Sequence, residues 1–231
     1  MGTNEKIGTL EQPAVTNVGL LGTAYWPWVN KPVPGHPRFF GPHWMEQCTK
    51  TPWWVVPCIW LPLHLAVAVH AHTMYAWPLP HLAALLVVGI LLWQLLEYLI
   101  HRFAFHAHLS SYWGITLHFL FHGCHHKYPL DSLRLVMPPL PALAAHLLVY
   151  TALSLAFPLH MALPLFAGAG FGYVAYDCLH YAIHHCKEGR GLAAFSWLRA
   201  LRRNHLYHHF KNGKSGFGIS SPLWDIVFRT S

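Results

Sequence analysis

The chain has 231 residues, of which 54% are apolar and only 10% charged, with 15 Lys and Arg against 8 Asp and Glu for a formal charge of +7. A soluble domain carries about 25% charge, so this balance excludes an ordinary water-soluble globule and points to a membrane protein. The basic excess borders apolar segments, which fits positive-inside flanking rather than nucleic-acid binding.

Residues 1–50 form a polar, Gly- and Pro-rich N-terminal segment dotted with aromatics, among them Tyr25, Trp26, Trp28, Phe39, Phe40 and Trp44. It reads as cytosolic loops with a short helix at the membrane interface, where Trp and Tyr favour the headgroup level. The first 20 residues lack an apolar core, so no cleavable signal peptide is expected. Met1-Gly2 opens like a myristoylation site, but Lys6 stands where Ser or Thr is required.

Residues 51–231 are expected to form one all-α integral membrane domain. Four apolar stretches, 53–73, 79–100, 135–157 and 159–179, each approach the roughly 20 residues a helix needs to cross hydrocarbon. Pro139, Pro141 and Pro164 fall near the starts of the last two, where proline is tolerated. The stretches pair as two hairpins with turns near Tyr75–Pro80 and Phe157–His160. An even number of spans returns both termini to one side. Arg102, Lys127, Arg134, Lys187, Arg190, Arg199, Arg202, Arg203, Lys211 and Lys214 gather there, which makes that side cytoplasmic.

The histidines carry the chemistry. Ten of 21 fall into four clusters beside these helices: His101 and His106; His122, His125 and His126; His180 and His184; and, in an amphipathic tail, His205, His208 and His209. Imidazole is a common ligand for zinc and iron, and ten are too many for one ion, so the pattern predicts a dimetal site in a helical cap. His180 and His184 are spaced i, i+4 and share a helix face. Adjacent His125 and His126 point in different directions, which suits one ligand to each metal, and His208 and His209 repeat this. His101 and His106 lie about 140° apart on a regular helix. Either the helix ends between them or they serve different ions. His118 and His185 adjoin the clusters, with His185 rotated away from His184. Asp177 and Glu97 lie one turn before His180 and His101, positions from which a carboxylate can orient an imidazole.

The scattered His64, His70, His72, His81, His146 and His160 are read as core or interface residues. The five cysteines form no Cys-x-x-Cys pair, so neither a thiolate zinc site nor a disulfide framework is expected. A pH buffer or loose zinc tract would need no fixed spacing, whereas His-x-x-His-His occurs twice here. An all-nitrogen set with open positions suits iron and O2 activation. Zinc also binds such ligands but has no redox chemistry. Beside membrane helices, the matching reaction is oxidation of a C–H bond in a lipid tail.

The residues between the histidines carry a resemblance. His-Arg-Phe-Ala-Phe-His, the run from His118 through Lys-Tyr-Pro-Leu-Asp-Ser-Leu-Arg to Pro139, Gly172-Tyr-Val-Ala-Tyr-Asp-Cys-Leu-His and His205-Leu-Tyr-His-His-Phe closely resemble the fatty acid 2-hydroxylases. The tail Gly216-Phe-Gly-Ile-Ser-Ser-Pro-Leu-Trp-Asp fits as well. Val18-Gly-Leu-Leu-Gly and Trp28-Val-Asn-Lys-Pro resemble the plant and algal members. The resemblance covers about residues 13–230. It implies a four-span endoplasmic reticulum enzyme that 2-hydroxylates the N-acyl chain of dihydroceramide or ceramide with O2 and electrons from cytochrome b5. It implies a di-iron centre, with zinc able to occupy the site in purified protein, held by the ten clustered histidines. His118 and His185 match positions less certain as ligands. Some relatives fuse a cytochrome b5 domain with a haem-binding His-Pro-Gly-Gly. Here His36-Pro37-Arg38 lacks both glycines, so a separate cytochrome b5 and no haem in this chain are expected. The competing readings are a sterol desaturase, sterol methyl oxidase or carotenoid hydroxylase of the same superfamily, and, from another class, a membrane metal transporter or sensor.

Overall fold

The computed structural model describes residues 7–187 and 195–231. The readings on Met1-Gly2, Lys6 and Arg190 lie outside the described residues. Helices and no strands form among the described residues: α1 (Ala14–Asn17), α2 (Tyr25–Val29), α3 (His43–Gln47), α4 (Val55–Tyr75), α5 (Leu79–Leu99), α6 (Tyr112–His118), α7 (Cys124–Lys127), α8 (Pro139–Ala156), α9 (Leu159–His185), α10 (Ser196–Phe210) and α11 (Leu223–Val227).

Four of these are long and apolar enough to cross a membrane: α4, α5 with its extension to Phe105, α8 and α9. Both hairpin turns follow from local chemistry. The first passes through Ala76 in the left-handed region (φ 48°) and Pro78, which caps α5. The second runs through extended Phe157 and Pro158, which caps α9. The turns 75–80 and 157–160 therefore sit at one end, and the four histidine clusters at the other. Leu65, Val87, Leu148 and Leu155 project outward from the bundle, as lipid-facing residues do.

Two spans run further than the sequence pattern suggests. The second was expected to stop at 100 and the fourth at 179, yet the helices continue to Phe105 and His185. Each is 27 residues long, or about 40 Å at 1.5 Å per residue. The hydrocarbon core is only about 30 Å thick. The surplus turns carry His101, His180 and His184 to the membrane boundary on rigid helix. Hydropathy loses the signal there because histidine and tyrosine replace leucine. The third span starts later than 135, at Pro139, because Pro138 holds an extended backbone.

Helix α9 is the central element, packed against α4, α5 and α8. Without a hydrophobic drive between helices in lipid, close approach needs small residues. Gly89 of α5 lies against the Leu165 carbonyl, and Gly168 of α9 lies against Leu86. Outside the bundle, Ile7, Val18, Tyr25, Val29 and Phe39 of the N-terminal segment pack on Ile115, Phe119 and Cys124. A buried ionic cluster locks this segment down: Arg134 bonds Asp131 at 2.9 Å and also pairs with Glu46. Lys127 donates to the carbonyls of Trp28 (3.0 Å) and Lys31 (2.7 Å). The described part of the segment thus packs against the residues that carry the second histidine cluster.

A methyl group at Gly168 would run into the Leu86 carbonyl, well inside contact distance, so Gly168→Ala must push α5 and α9 apart. Thermal unfolding in detergent should show a loss of about 1–3 kcal/mol, while Gly41→Ala, in open space, should change little. Equal stability for the two variants would contradict this packing.

Candidate metal centre

The cap is assembled from four chain segments, each using a helical spacing to aim its imidazoles. Ligand atoms of His101, His106, His122, His126 and His208 all lie within 4.8 Å of one another. A second group, His125, His180, His184, His205 and His209, does the same. Pairs spaced i, i+4 stay together: His122 with His126, His180 with His184, His205 with His209. The neighbours His125 and His208 cross to the other group, because one residue along a helix turns the side chain by about 100°. The groups abut, with the His126 and His209 rings stacked at 4.3 Å.

His101 and His106 fall in the same group through a change of helix type. Residues Ile100–Phe105 form a π-turn, closed by a 3.2 Å bond from the His106 N–H to the His101 carbonyl. The wider i+5 turn brings residues five apart onto one side, and the helix ends at Phe105. A second π-turn, Phe119–Gly123, carries His122. Such bulges are frequent at functional sites.

Hydrogen bonding among the imidazoles does not account for this convergence. His205 Nε2 lies 3.0 Å from His180 Nε2, 2.9 Å from His184 Nε2 and 3.0 Å from His209 Nε2. His122 Nε2 lies 3.2 Å from His101 Nε2, 3.2 Å from His106 Nε2 and 2.8 Å from His126 Nε2. One ring nitrogen carries either one hydrogen or one lone pair, so it satisfies one such neighbour, not three. The donor set fits a metal ion at the focus of each group.

The far side of the rings supports this. His101 Nδ1–H donates to the Phe217 carbonyl (2.6 Å) and His208 Nδ1–H to the Ser215 carbonyl (2.7 Å). With the proton held there, Nε2 keeps its lone pair facing inward. These carbonyls belong to loop 215–220, which three groups fix in place. Glu97 accepts from the N–H of Ile219 (2.6 Å) and Ser220 (2.8 Å) and from the Ser220 hydroxyl. Asp225 accepts from the N–H of Phe217 (3.0 Å) and Gly218 (2.7 Å). Gly216 supplies a φ of 70°, which favours glycine.

The four residues expected beside the centre divide. Glu97 acts on the loop, not on an imidazole. Asp177 accepts from the Met137 N–H (3.3 Å) and leaves His180 Nδ1 without a partner. It therefore anchors the α8 approach to α9 rather than orienting His180. His118 lies outside both groups, its Nδ1 2.5 Å from the Tyr25 hydroxyl. His185 also lies outside, stacked on Tyr181. The loop carbonyls and Tyr25 were not legible in the sequence. Backbone acceptors leave no residue signature, although the Gly216–Asp225 motif marks the loop that bears them.

Burial keeps the cap imidazoles neutral. It pushes His106 down to about 3, with the neighbouring His208 and His118 adding to the effect. It pushes His118 down to about 4 against an opposing bond to the Phe105 carbonyl. His122, His125, His126, His205 and His209 are driven well below the ordinary value, first by burial and then by the neighbouring cap histidines. Neutral imidazole is the metal-binding form.

A cavity of about 560 Å³ reaches the centre from the membrane side. His122, His125 and His180 line one end, and His146, Phe166 and Gly170 lie deeper. Phe166 and His180 are 14 residues apart on α9, about 21 Å of helix. Leu148, also in its wall, is 73% exposed on the outer face of α8, so the cavity opens sideways toward lipid.

Two outcomes follow. Unfolded histidines titrate near 6.5, whereas the folded cap resists protonation. The unfolded state therefore takes up more protons as pH falls, and metal-free protein should lose stability from about pH 6.5 toward pH 3. Melting temperatures of chelator-treated protein that stay level between pH 7 and pH 5 would contradict this. Glu97→Ala should release loop 215–220 and weaken metal retention in the group containing His101 and His208 by roughly 10–100-fold. Competition with a chelator reads the effect, and unchanged affinity for both ions would oppose it.

This architecture has close known counterparts. A model of the fatty acid hydroxylase family matches residues 86–230. A dihydroceramide fatty acyl 2-hydroxylase of Arabidopsis thaliana is 42% identical, over 96% of this chain and 92% of its own. A human fatty acid 2-hydroxylase is 39% identical, over 95% of this chain and 63% of its own. The solved structure of scs7p, in which only the hydroxylase domain is visible, superposes with a TM-score of 0.87 at 35% identity, covering 99% of this chain and 86% of that one. A four-span helical bundle capped by two histidine groups, matched over most of its length to these enzymes, belongs to the fatty acid hydroxylase family.

Proposed function

We propose that this chain hydroxylates C2 of the N-acyl chain of dihydroceramide or ceramide. One oxygen atom of O2 enters the C2–H bond, the other leaves as water, and two electrons and two protons are consumed. The observation that carries this reading is the lipid-facing cavity ending on His122, His125 and His180. An acyl chain enters it sideways from the bilayer, and the apolar walls exclude water from the reacting carbon. The similarity to dihydroceramide and ceramide hydroxylases supports the substrate class.

The ten imidazoles would hold two metal ions per chain, His101, His106, His122, His126 and His208 on one and His125, His180, His184, His205 and His209 on the other. Five nitrogens exceed the four ligands zinc usually takes in structural sites, which favours iron for activity even where zinc fills the purified protein. Bound iron would supply the O2 chemistry. The chain's own part is to keep the rings neutral through burial, to leave the Nε2 lone pairs of His101 and His208 facing inward through the Phe217 and Ser215 carbonyls, and to seat the substrate.

Segments 51–101 and 135–186 contain no lysine or arginine, whereas Arg102, Lys127, Arg203, Lys211 and Lys214 lie at the cap. By the positive-inside rule the cap and both termini are cytosolic, in the endoplasmic reticulum membrane. A separate cytochrome b5 brings the electrons to this basic face. His36, in the His-Pro-Arg run, bonds Asp131 at 2.9 Å and is committed to the loop before α8.

Lipid profiling of a yeast strain lacking its own ceramide hydroxylase tests the reading. Expression of this chain should restore 2-hydroxylated sphingolipids, and His184→Ala should abolish the restoration. Unchanged lipids with correctly inserted, metal-loaded protein, or oxidised sterols or carotenoids instead, would overturn it.

A further inference from the structure

Three residues with unpartnered buried nitrogens lie where hydrocarbon surrounds the bundle. His146 on α8, Trp93 on α5 and His64 on α4 all sit within membrane-spanning helices. His146 Nε2, Trp93 Nε1 and both nitrogens of His64 lack any hydrogen-bond partner. Leaving such groups unpaired in an apolar medium is costly, and ionisable residues inside a membrane mark functional sites. Two of the three, His146 and Trp93, line the cavity that leads to the metal centre, on either side of Tyr173. Ring centroids lie 5.0 Å apart for His146 and Tyr173 and 5.2 Å apart for Trp93 and Tyr173.

The chemistry of His146 is fixed by its other nitrogen. Nδ1 lies 2.7 Å from the Ala142 carbonyl, which only accepts, so Nδ1 carries the hydrogen. A charged imidazole is expensive at this depth, so the ring is neutral and Nε2 presents a lone pair. The ring is held in plane by Trp60, parallel at 4.0 Å and 8°, and by His64 at 5.1 Å on the same bundle. His146 is 8% exposed. An acceptor is thus held at fixed orientation in the wall of the cavity, which the Trp93 indole also lines.

We propose that this wall is a hydroxyl-recognition subsite, in which His146 Nε2 accepts a hydrogen bond from a hydroxyl of the lipid substrate's sphingoid head. A hydroxyl supplies the hydrogen that the Nε2 lone pair of His146 lacks. Tyr173 lies seven residues before His180, about 10 Å along α9. The sphingoid hydroxyls stand only a few bonds beyond the amide from C2 of the acyl chain. Docking them here would set which methylene faces His125 and His180. The assignment rests on the ceramide reading above. A bound water offers the same O–H, and the test separates the two.

The probes are N-acyl dihydrosphingosine and its 1,3-di-O-methyl derivative, whose ether oxygens cannot donate. Equilibrium binding to the detergent-solubilised full chain is measured for both, with 2-hydroxylation by the iron-loaded wild type followed alongside. Wild type should bind the free diol at least tenfold more tightly. His146→Phe should erase that preference, and His146→Gln, whose amide oxygen accepts, should retain part of it. Taking the ratio of the two lipids on each variant removes general effects of misfolding. A wild-type preference that His146→Phe leaves intact, or no wild-type preference, would overturn the subsite and leave Nε2 to water. Preferential binding that depends on His146, without any 2-hydroxylation, would overturn the hydroxylase reading alone.

Discussion

Ten neutral imidazoles aim their Nε2 atoms at two points, and no arrangement of hydrogens lets them satisfy one another. His205 Nε2 faces three others at about 3 Å, and each nitrogen offers a single hydrogen or lone pair. Burial forbids the alternative of charging the rings. A metal ion at each focus would satisfy the convergence. That requirement ties together four segments otherwise distant in the chain: the ends of α5 and α9, the α6–α7 run and α10. A metal ion bound there would contribute folding energy as well as chemistry.

The rest of the molecule serves this focus. Helices α5, with its extension to Phe105, and α9 overshoot the hydrocarbon by about 10 Å, roughly two turns, placing histidines at the boundary on rigid supports. The glycine contact between these two helices keeps them close enough for the groups to meet. Glu97 and Asp225 hold loop 215–220, whose carbonyls fix the inward-facing nitrogen of His101 and His208. The N-terminal segment, clamped through Arg134 and Lys127, covers the opposite side. The cavity between α5, α8 and α9 joins the lipid phase to the centre. The same helices therefore provide membrane anchorage, ligand placement and substrate entry.

Much of this was readable from residue spacing. The i, i+4 pairs and the adjacent His125–His126 and His208–His209 pairs foretell two groups, because helix geometry alone decides which rings share a face. The four spans and both hairpin turns were legible from hydropathy and proline. Four features were not. The π-turn that unites His101 with His106 depends on a local change of hydrogen bonding that spacing rules assume away. Asp177 sits at the right interval for His180, yet the Met137 N–H claims it. The acceptors for His101 and His208 are backbone carbonyls, invisible in side-chain identity. The buried His64 and His146, read as ordinary core, proved unsatisfied and, for His146, in the cavity wall.

The central claim is that each group of five imidazoles binds one ion. Metal quantitation combined with X-ray absorption on the purified, iron-reconstituted chain tests it most directly. The account predicts two ions per chain with a nitrogen-dominated shell and the multiple-scattering signature of imidazole. One ion or fewer per chain, or sulfur in the coordination shell, would contradict it.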